Sequence, residues 1–137
     1  QDRLILDDAD YRVVEAVVAR TERTAVQALR VTPELGGQPR WLLQVEGEDV
    51  LAAEETDAAA LGAAEAVIGE QRLQRQWSGE ARTEHSARDE TTRFGRGECA
   101  LYRSEAGVVA VRISDRRTEM AFLGRPLEPG RVDLRFT

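Results

Sequence analysis

Apolar and polar residues alternate with a period of two, and this pattern constrains the fold more than any other feature of the sequence. Val109, Val111 and Ile113 take alternate positions, with Arg112 and Ser114 on the opposite face, and residues 132–136 repeat the pattern. Such alternation puts the apolar side chains on one face of an extended strand. It predicts antiparallel strands with one face on a core and the other in water.

Turn residues separate the apolar runs along the whole chain. The clearest turns are residues 36–39, 47–49 and 124–126, each of which contains glycine. Strands spaced by about eight to twelve residues indicate a sandwich or barrel rather than an α/β sheet. The predicted fold class is therefore mainly β, with antiparallel strands in a small barrel or sandwich and at most one short helix.

Three segments of the middle region need separate predictions. Residues 57–65 are alanine-rich, and Asp57 is a suitable N-cap, so we predict a short helix or helical linker there. Ser78 and Gly79 predict a turn between two short strands. The two glycines within residues 94–97 predict a hairpin tip.

A short segment of the sequence recurs 62 residues later. Residues 19–25 read Ala-Arg-Thr-Glu-Arg-Thr-Ala, and residues 81–87 read Ala-Arg-Thr-Glu-His-Ser-Ala. With a further shift of two residues, Trp41 aligns with Leu101. We predict one compact domain, residues 1–137, built from two pseudo-repeated β units.

These units span about residues 3–55 and 66–137, and residues 56–65 join them. Units of this size are marginal alone, so we expect them to share apolar surface. The groove between them is the natural place for a ligand or partner.

Composition excludes several classes of function. The chain has 19 arginines, no lysine, 25 acidic residues and a net charge of -6, so no basic footprint for nucleic acid is expected. No apolar run approaches the roughly 18 residues of a membrane span, so direct membrane insertion is not expected. One cysteine and one histidine cannot build a disulfide or a zinc cluster. We predict no metal site and no cofactor.

His85 and Cys99 are the only candidates for a catalytic base and nucleophile. The repeat places Arg23 at the position of His85, which is typical of a solvent-exposed strand residue. Cys99 begins an apolar run, where a thiol usually acts as a small hydrophobic group. The sequence therefore favours a protein that is not an enzyme, and a thiol-dependent enzyme stays the alternative.

Five residues are candidates for binding. Arg112, Arg131 and Arg135 occupy outward positions of the last strands, where guanidinium groups suit carboxylates or phosphates of a partner. Cross-strand pairing with acidic residues such as Glu119 is the alternative. Trp41 and Trp77 are either core residues or interface anchors.

Several phrases resemble a known family. They are Tyr-Arg-Val-Val at 11–14, Arg-Trp-Leu-Leu-Gln-Val-Glu at 40–46, residues 73–81, residues 99–102 and residues 119–127. Together they resemble the bacterial β-rich family catalogued as domain of unknown function 4178, over about residues 4–134. The resemblance implies an all-β accessory domain without established catalytic residues. It also implies a membrane-linked partner, because such proteins tend to be encoded beside membrane or stress-associated genes.

The sequence thus predicts a non-catalytic accessory or protein-interaction module that binds a protein partner or itself. The alternative is a small-ligand-binding protein or thiol-dependent enzyme with its site in the groove between the two units. We expect a cytoplasmic location by default. Since the sequence begins with Gln1 rather than methionine, the question whether a signal or anchor precedes it stays open.

Overall fold

A computed structural model describes residues 3–6, 9–88, 90 and 92–127, and these residues form ten strands and one 3-10 turn. All ten strands belong to one sheet, in the order β1-β2-β3-β4-β5-β10-β9-β8-β7-β6, and neighbouring strands are antiparallel. The strands are β1 (Arg3–Leu6), β2 (Ala9–Arg20), β3 (Ala25–Pro33), β4 (Arg40–Val45), β5 (Leu51–Thr56), β6 (Glu65–Ile68), β7 (Gln71–Ala87), β8 (Arg93–Arg103), β9 (Val109–Asp115) and β10 (Glu119–Pro126).

An additional pairing closes eight of these strands into a ring. Residues 15–20 of β2 pair with residues 82–87 of β7, so every strand from β2 round to β7 has two neighbours. We call this junction the seam. Strands β1 and β6 extend from the ring beside β2 and β7. The antiparallel, mainly β architecture confirms the predicted fold class, and the closed ring corresponds to the barrel-like form of it.

The ten strands form two five-stranded meanders, β1–β5 and β6–β10, and the ring takes four strands from each. A β-bulge interrupts β2 between Val13 and Glu15, and another interrupts β7 between Arg75 and Trp77, so the bulges are 62 residues apart, like the repeated segments. The alignment of Trp41 with Leu101 does not match equivalent strands of the two meanders. Trp41 lies in the fourth strand of the first meander, whereas Leu101 lies in the third strand of the second. The division into two pseudo-repeated units, with their bounds, stays a prediction.

Local turn signals were less reliable than the alternation. The predicted turn at Ser78 and Gly79 is wrong, because both residues lie inside β7 and pair with β8. The predicted hairpin tip at 94–97 is also wrong, because these residues belong to β8. The predicted turn at 124–126 is wrong too, because these residues belong to β10 and pair with β5. The predicted helix is a single 3-10 turn (Ala58–Leu61), capped by the Asp57 carboxylate, which accepts a hydrogen bond from the Ala59 N–H at 3.0 Å.

Apolar side chains fill the interior of the ring. Val109, Val111 and Ile113 point inward together, as their alternation predicts, and Trp41 packs against Phe122 with ring centroids 4.7 Å apart. A second cluster lies on the outer face of β8, β9 and β10, beneath the 3-10 turn and β6. A third, smaller cluster lies on the outer face of β3 and β4. These clusters leave polar side chains concentrated around the seam.

Candidate functional site

Three arginines stand side by side on the outer face of the seam. Arg20 of β2 is directly opposite Arg82 of β7, and Arg82 is directly opposite Arg96 of β8. Directly opposite residues share one face of a sheet, with Cβ atoms about 5 Å apart. The adjacent Ala19 and Ala81 are buried in the interior, which places the arginines outside. We call these three residues the arginine row.

The arginine row has no intramolecular partner in the part of the chain that the structure describes. All three side chains are exposed, and none makes an ion pair or a side-chain hydrogen bond there. Like charges directly opposite one another destabilise a sheet. The nearest carboxylates on this face belong to Glu80, Glu84 and Glu98, two residues away along β7 and β8. The row is therefore a local concentration of free positive charge in an acidic protein.

An exposed aromatic ring borders the arginine row. Phe94 lies two residues from Arg96 on the same face of β8, and 78% of its surface is accessible. Exposed phenylalanines at the edge of a charged patch are common at sites of protein contact. The surface thus combines free guanidinium groups with an apolar margin.

A network of polar side chains crosses the seam on the interior side. The Nε2 atom of His85 lies 2.6 Å from Glu15 Oε2, and Arg93 Nη2 lies 2.8 Å from His85 Nδ1. Arg30 also belongs to this network, because its Nη1 atom lies 3.8 Å from Glu15 Oε1. A guanidinium group can only donate, so Nδ1 accepts and the ring proton is assigned to Nε2, which donates to Glu15. Both carboxylate oxygens of Glu15 and both ring nitrogens of His85 have a partner, which indicates a structural link across the seam.

The environment of His85 differs from the sequence-based expectation. We expected a solvent-exposed strand residue, whereas only 18% of the side chain is accessible. The register of the seam places His85 opposite Val17, whose side chain points into the ring. His85 therefore faces inward at one end of the interior.

Asp115 continues this polar end of the interior. Its side chain accepts hydrogen bonds from the backbone N–H groups of Arg117 (2.7 Å) and Thr118 (2.8 Å). Partial burial acts to raise the pKa of Asp115, but these bonds, the Thr118 hydroxyl and the charge of Arg93 outweigh it, and the pKa lies below its usual value of 3.8. Asp115 is therefore held as an anion near Arg93.

The two catalytic candidates do not meet. Cys99 is opposite Gly79 of β7, six residues along the strand from His85, which corresponds to about 20 Å. The thiol is 1% exposed, and burial raises the pKa of Cys99 to about 12. A thiol of this kind stays protonated at neutral pH and is a poor nucleophile. The structure gives the predicted nucleophile and base no common site.

The predicted binding residues have other roles or lie outside the described residues. Arg112 forms an ion pair with Glu119 on the neighbouring strand, which is the cross-strand alternative. Trp41 is buried in the ring interior, and Trp77 is half-buried against the same cluster. Arg131 and Arg135 fall outside the described residues.

Sequence reasoning missed the residues of the arginine row. Arg20 and Arg82 occupy the same place in the two copies of the repeated segment, which was a usable signal. The sequence did not reveal that the copies pair with each other, because that depends on how the ring closes.

Within the described residues, no helix is long and apolar enough to cross a membrane. Comparisons with family models, with curated proteins and with solved structures found no match for this chain. The resemblance to domain of unknown function 4178 therefore stays an expectation.

Proposed function

We propose that this chain is a non-catalytic protein-interaction module that presents the arginine row to an acidic surface of a partner protein. The observation that carries the proposal is the alignment of three unpaired guanidinium groups across three adjacent strands. Their mutual repulsion costs stability, and within the described residues no carboxylate forms an ion pair with any of the three. Guanidinium groups bind carboxylates in a bidentate manner, so a partner's aspartates or glutamates would offset this cost.

The alternative functions have less support. Apolar side chains fill the ring interior, which leaves it unsuited to an enclosed ligand. The Cys99 thiol is buried and distant from His85, which disfavours a thiol-dependent enzyme. A partner protein, or a second copy of the chain, fits the exposed surface of the seam better.

Binding to a defined acidic peptide tests the proposal. We expect a labelled hexaglutamate peptide to bind the wild-type protein at low ionic strength and to dissociate as salt is added, because exposed charges are screened. Arg82→Glu removes the central guanidinium group and should weaken binding roughly tenfold or more, as expected for lost charge-assisted hydrogen bonds. Fluorescence anisotropy measures both affinities.

Arg125→Glu is the matched control. Arg125 is exposed on β10, on the side of the ring opposite the seam, and its substitution changes the net charge by the same amount. Equal weakening by both substitutions would mean that hexaglutamate responds only to net charge. That result, or a wild-type protein that does not bind the peptide, would overturn the proposal.

A further inference from the structure

Part of β7 has no neighbouring strand on its seam side. β6 pairs with residues 71–74, the Arg75 N–H donates to the Ala64 carbonyl at 2.8 Å, and β2 pairs with residues 82–87. Between these contacts, no described strand pairs with residues 76–81 on this side. The same residues are paired with β8 on their other side. We call this stretch the open edge.

The open edge is accessible and long enough to hold another strand. Six residues span about 20 Å of extended chain. Ser78, Gly79 and Glu80 are exposed, and a Cβ atom added at Gly79 would meet no atom within 4 Å. Trp77 points inward but is only half-buried, although it packs against the core. An added strand would cover this indole ring.

The protective features usual at strand edges are sparse here. Proteins block exposed edges with proline, with inward-pointing charges or by keeping the edge strand short. The terminal strand β6 has four residues, and its Glu65 forms a charged pair with Arg72 of β7 at 3.8 Å. The open edge contains no proline, and its inward positions are Trp77, Gly79 and Ala81. A bulge disturbs only its beginning.

Charges at the ends of the open edge indicate the chemistry of the occupant. Arg82 and Arg20 lie at one end, and the exposed Arg75 lies at the other. Because β2 ends at Arg20, an added strand would continue its line and place a side chain beside these two arginines. Glu80, near the middle, disfavours a carboxylate directly opposite it. On the outer face, a cavity of about 200 Å³ lies beside Arg75 and Ser78 and extends over β8 and β9.

We propose that an extended acidic segment of a partner protein adds to the open edge of β7 as a further strand. The segment is about six residues long, with inward apolar side chains over Trp77 and outward carboxylates at its ends. Main-chain hydrogen bonds supply much of the affinity, as in other cases of strand addition. This inference rests on the proposed function and specifies how the partner binds.

The probe is a blocked heptapeptide, Glu-Val-Ser-Val-Ser-Val-Glu, which carries glutamate only at the ends of its outward face and places no carboxylate opposite Glu80. Two analogues carry N-methyl groups either on all valine nitrogens or on all glutamate and serine nitrogens, because alternate N–H groups of a strand point to opposite edges. One analogue therefore blocks the edge that would face β7, while both keep all side-chain charges. We expect that analogue to bind roughly tenfold or more weakly than the unmodified peptide, about 1.4 kcal/mol.

Hydrogen exchange locates the bound peptide. With the unmodified peptide in excess, amide exchange should slow roughly tenfold or more at those N–H groups of residues 76–81 that face the open edge, as mass action predicts for a ligand that protects these groups. Strand β5, on the opposite side of the ring, should exchange as before. Arg82→Glu should reduce the protection, and Arg125→Glu should leave it intact.

The outcomes separate this inference from the proposed function. Equal binding of all three peptides, with unchanged exchange at residues 76–81, would overturn strand addition, while binding of hexaglutamate to the arginine row would still stand. Failure of the heptapeptide to bind would also overturn strand addition. Concentration-dependent protection of residues 76–81 without any peptide would assign the edge to a second copy of this chain and overturn the acidic partner segment.

Discussion

Cys99 lies in the middle of the ring interior, where its environment determines its chemistry. The side chain is 1% exposed, and burial raises the pKa of the thiol from 9.0 to about 12. In the unfolded chain the same thiol loses its proton near pH 9. The folded state therefore holds more protons than the unfolded state between about pH 9 and 12, and this group's contribution to the stability falls as pH rises through that range.

We expect the Cys99 thiol to resist a thiol reagent in the native protein. At pH 8 the reagent should modify the folded protein far more slowly than the protein in guanidinium chloride, because only the unfolded state exposes a thiolate. With an aromatic disulfide as the reagent, the absorbance of the aromatic thiolate that it releases measures both rates. Cys99→Ala is the control for reaction elsewhere, and equal rates in the two solvents would contradict the buried position.

At the residue scale, the burial of Cys99 could be predicted from the sequence, whereas the surroundings of His85 could not. The burial of Cys99 follows from its apolar neighbours in sequence. The position of His85 does not follow from its neighbours in sequence. It depends on Glu15, which is distant in sequence, and on Arg93, which lies on another strand. Alternation within β7 alone does not tell which face is inside when both faces carry polar residues.

Two glycines, one in β7 and one in β8, allow a prediction about how closely neighbouring strands approach, because substitution of the first is a control for substitution of the second. A Cβ atom at Gly97 would lie 1.6 Å from the Ser114 carbonyl oxygen, so Gly97→Ala must push β8 away from β9. We expect it to lower the free energy of unfolding by more than about 3 kcal/mol, since backbone cannot move aside cheaply.

Gly79→Ala is the matched control, because nothing lies within 4 Å of the added Cβ and the backbone is extended. It should change the free energy of unfolding by about 1 kcal/mol or less, with stabilisation favoured because alanine restricts the unfolded chain. Urea denaturation measures both variants. Similar midpoints for the two variants would contradict the close approach of β8 and β9 at Gly97.

At the element scale, these glycines also explain where sequence reasoning failed. Gly79, Gly95 and Gly97 read as turn signals, but none has a positive φ, and each lies within a paired strand. Gly97 serves a close strand contact that cannot be seen without the fold. The alternation in β9 predicted its inward face correctly, with Val109, Val111 and Ile113 inside. It did not predict that Ala110 is buried as well, because the second cluster covers the outer face of this strand.

At the scale of the whole molecule, ring closure was beyond reach of the sequence. The repeat predicted two related units, but many arrangements of two meanders bury the same apolar faces. The seam selects one of them by pairing residues 15–20 with 82–87. That choice creates both the arginine row and the open edge, so neither candidate site could be predicted from local patterns.

The shared core predicts that the two meanders unfold together. Trp41 belongs to the first meander and Trp77 to the second, and both contact the interior cluster, which takes residues from both meanders. A meander without its partner would expose this cluster, and units of about 60 residues have little stability to spare. We therefore expect one cooperative transition for the whole chain.

Single-tryptophan variants measure this directly, since Trp41→Phe leaves Trp77 as the reporter and Trp77→Phe leaves Trp41. Within each variant, the urea midpoint from fluorescence should coincide with that from far-ultraviolet circular dichroism, because loss of either meander removes the core of the other. Comparison within one variant cancels any change in stability that the substitution itself causes. A fluorescence midpoint clearly separated from the dichroism midpoint in either variant would mean that one meander keeps its structure alone, which a ring closed through a common interior does not allow.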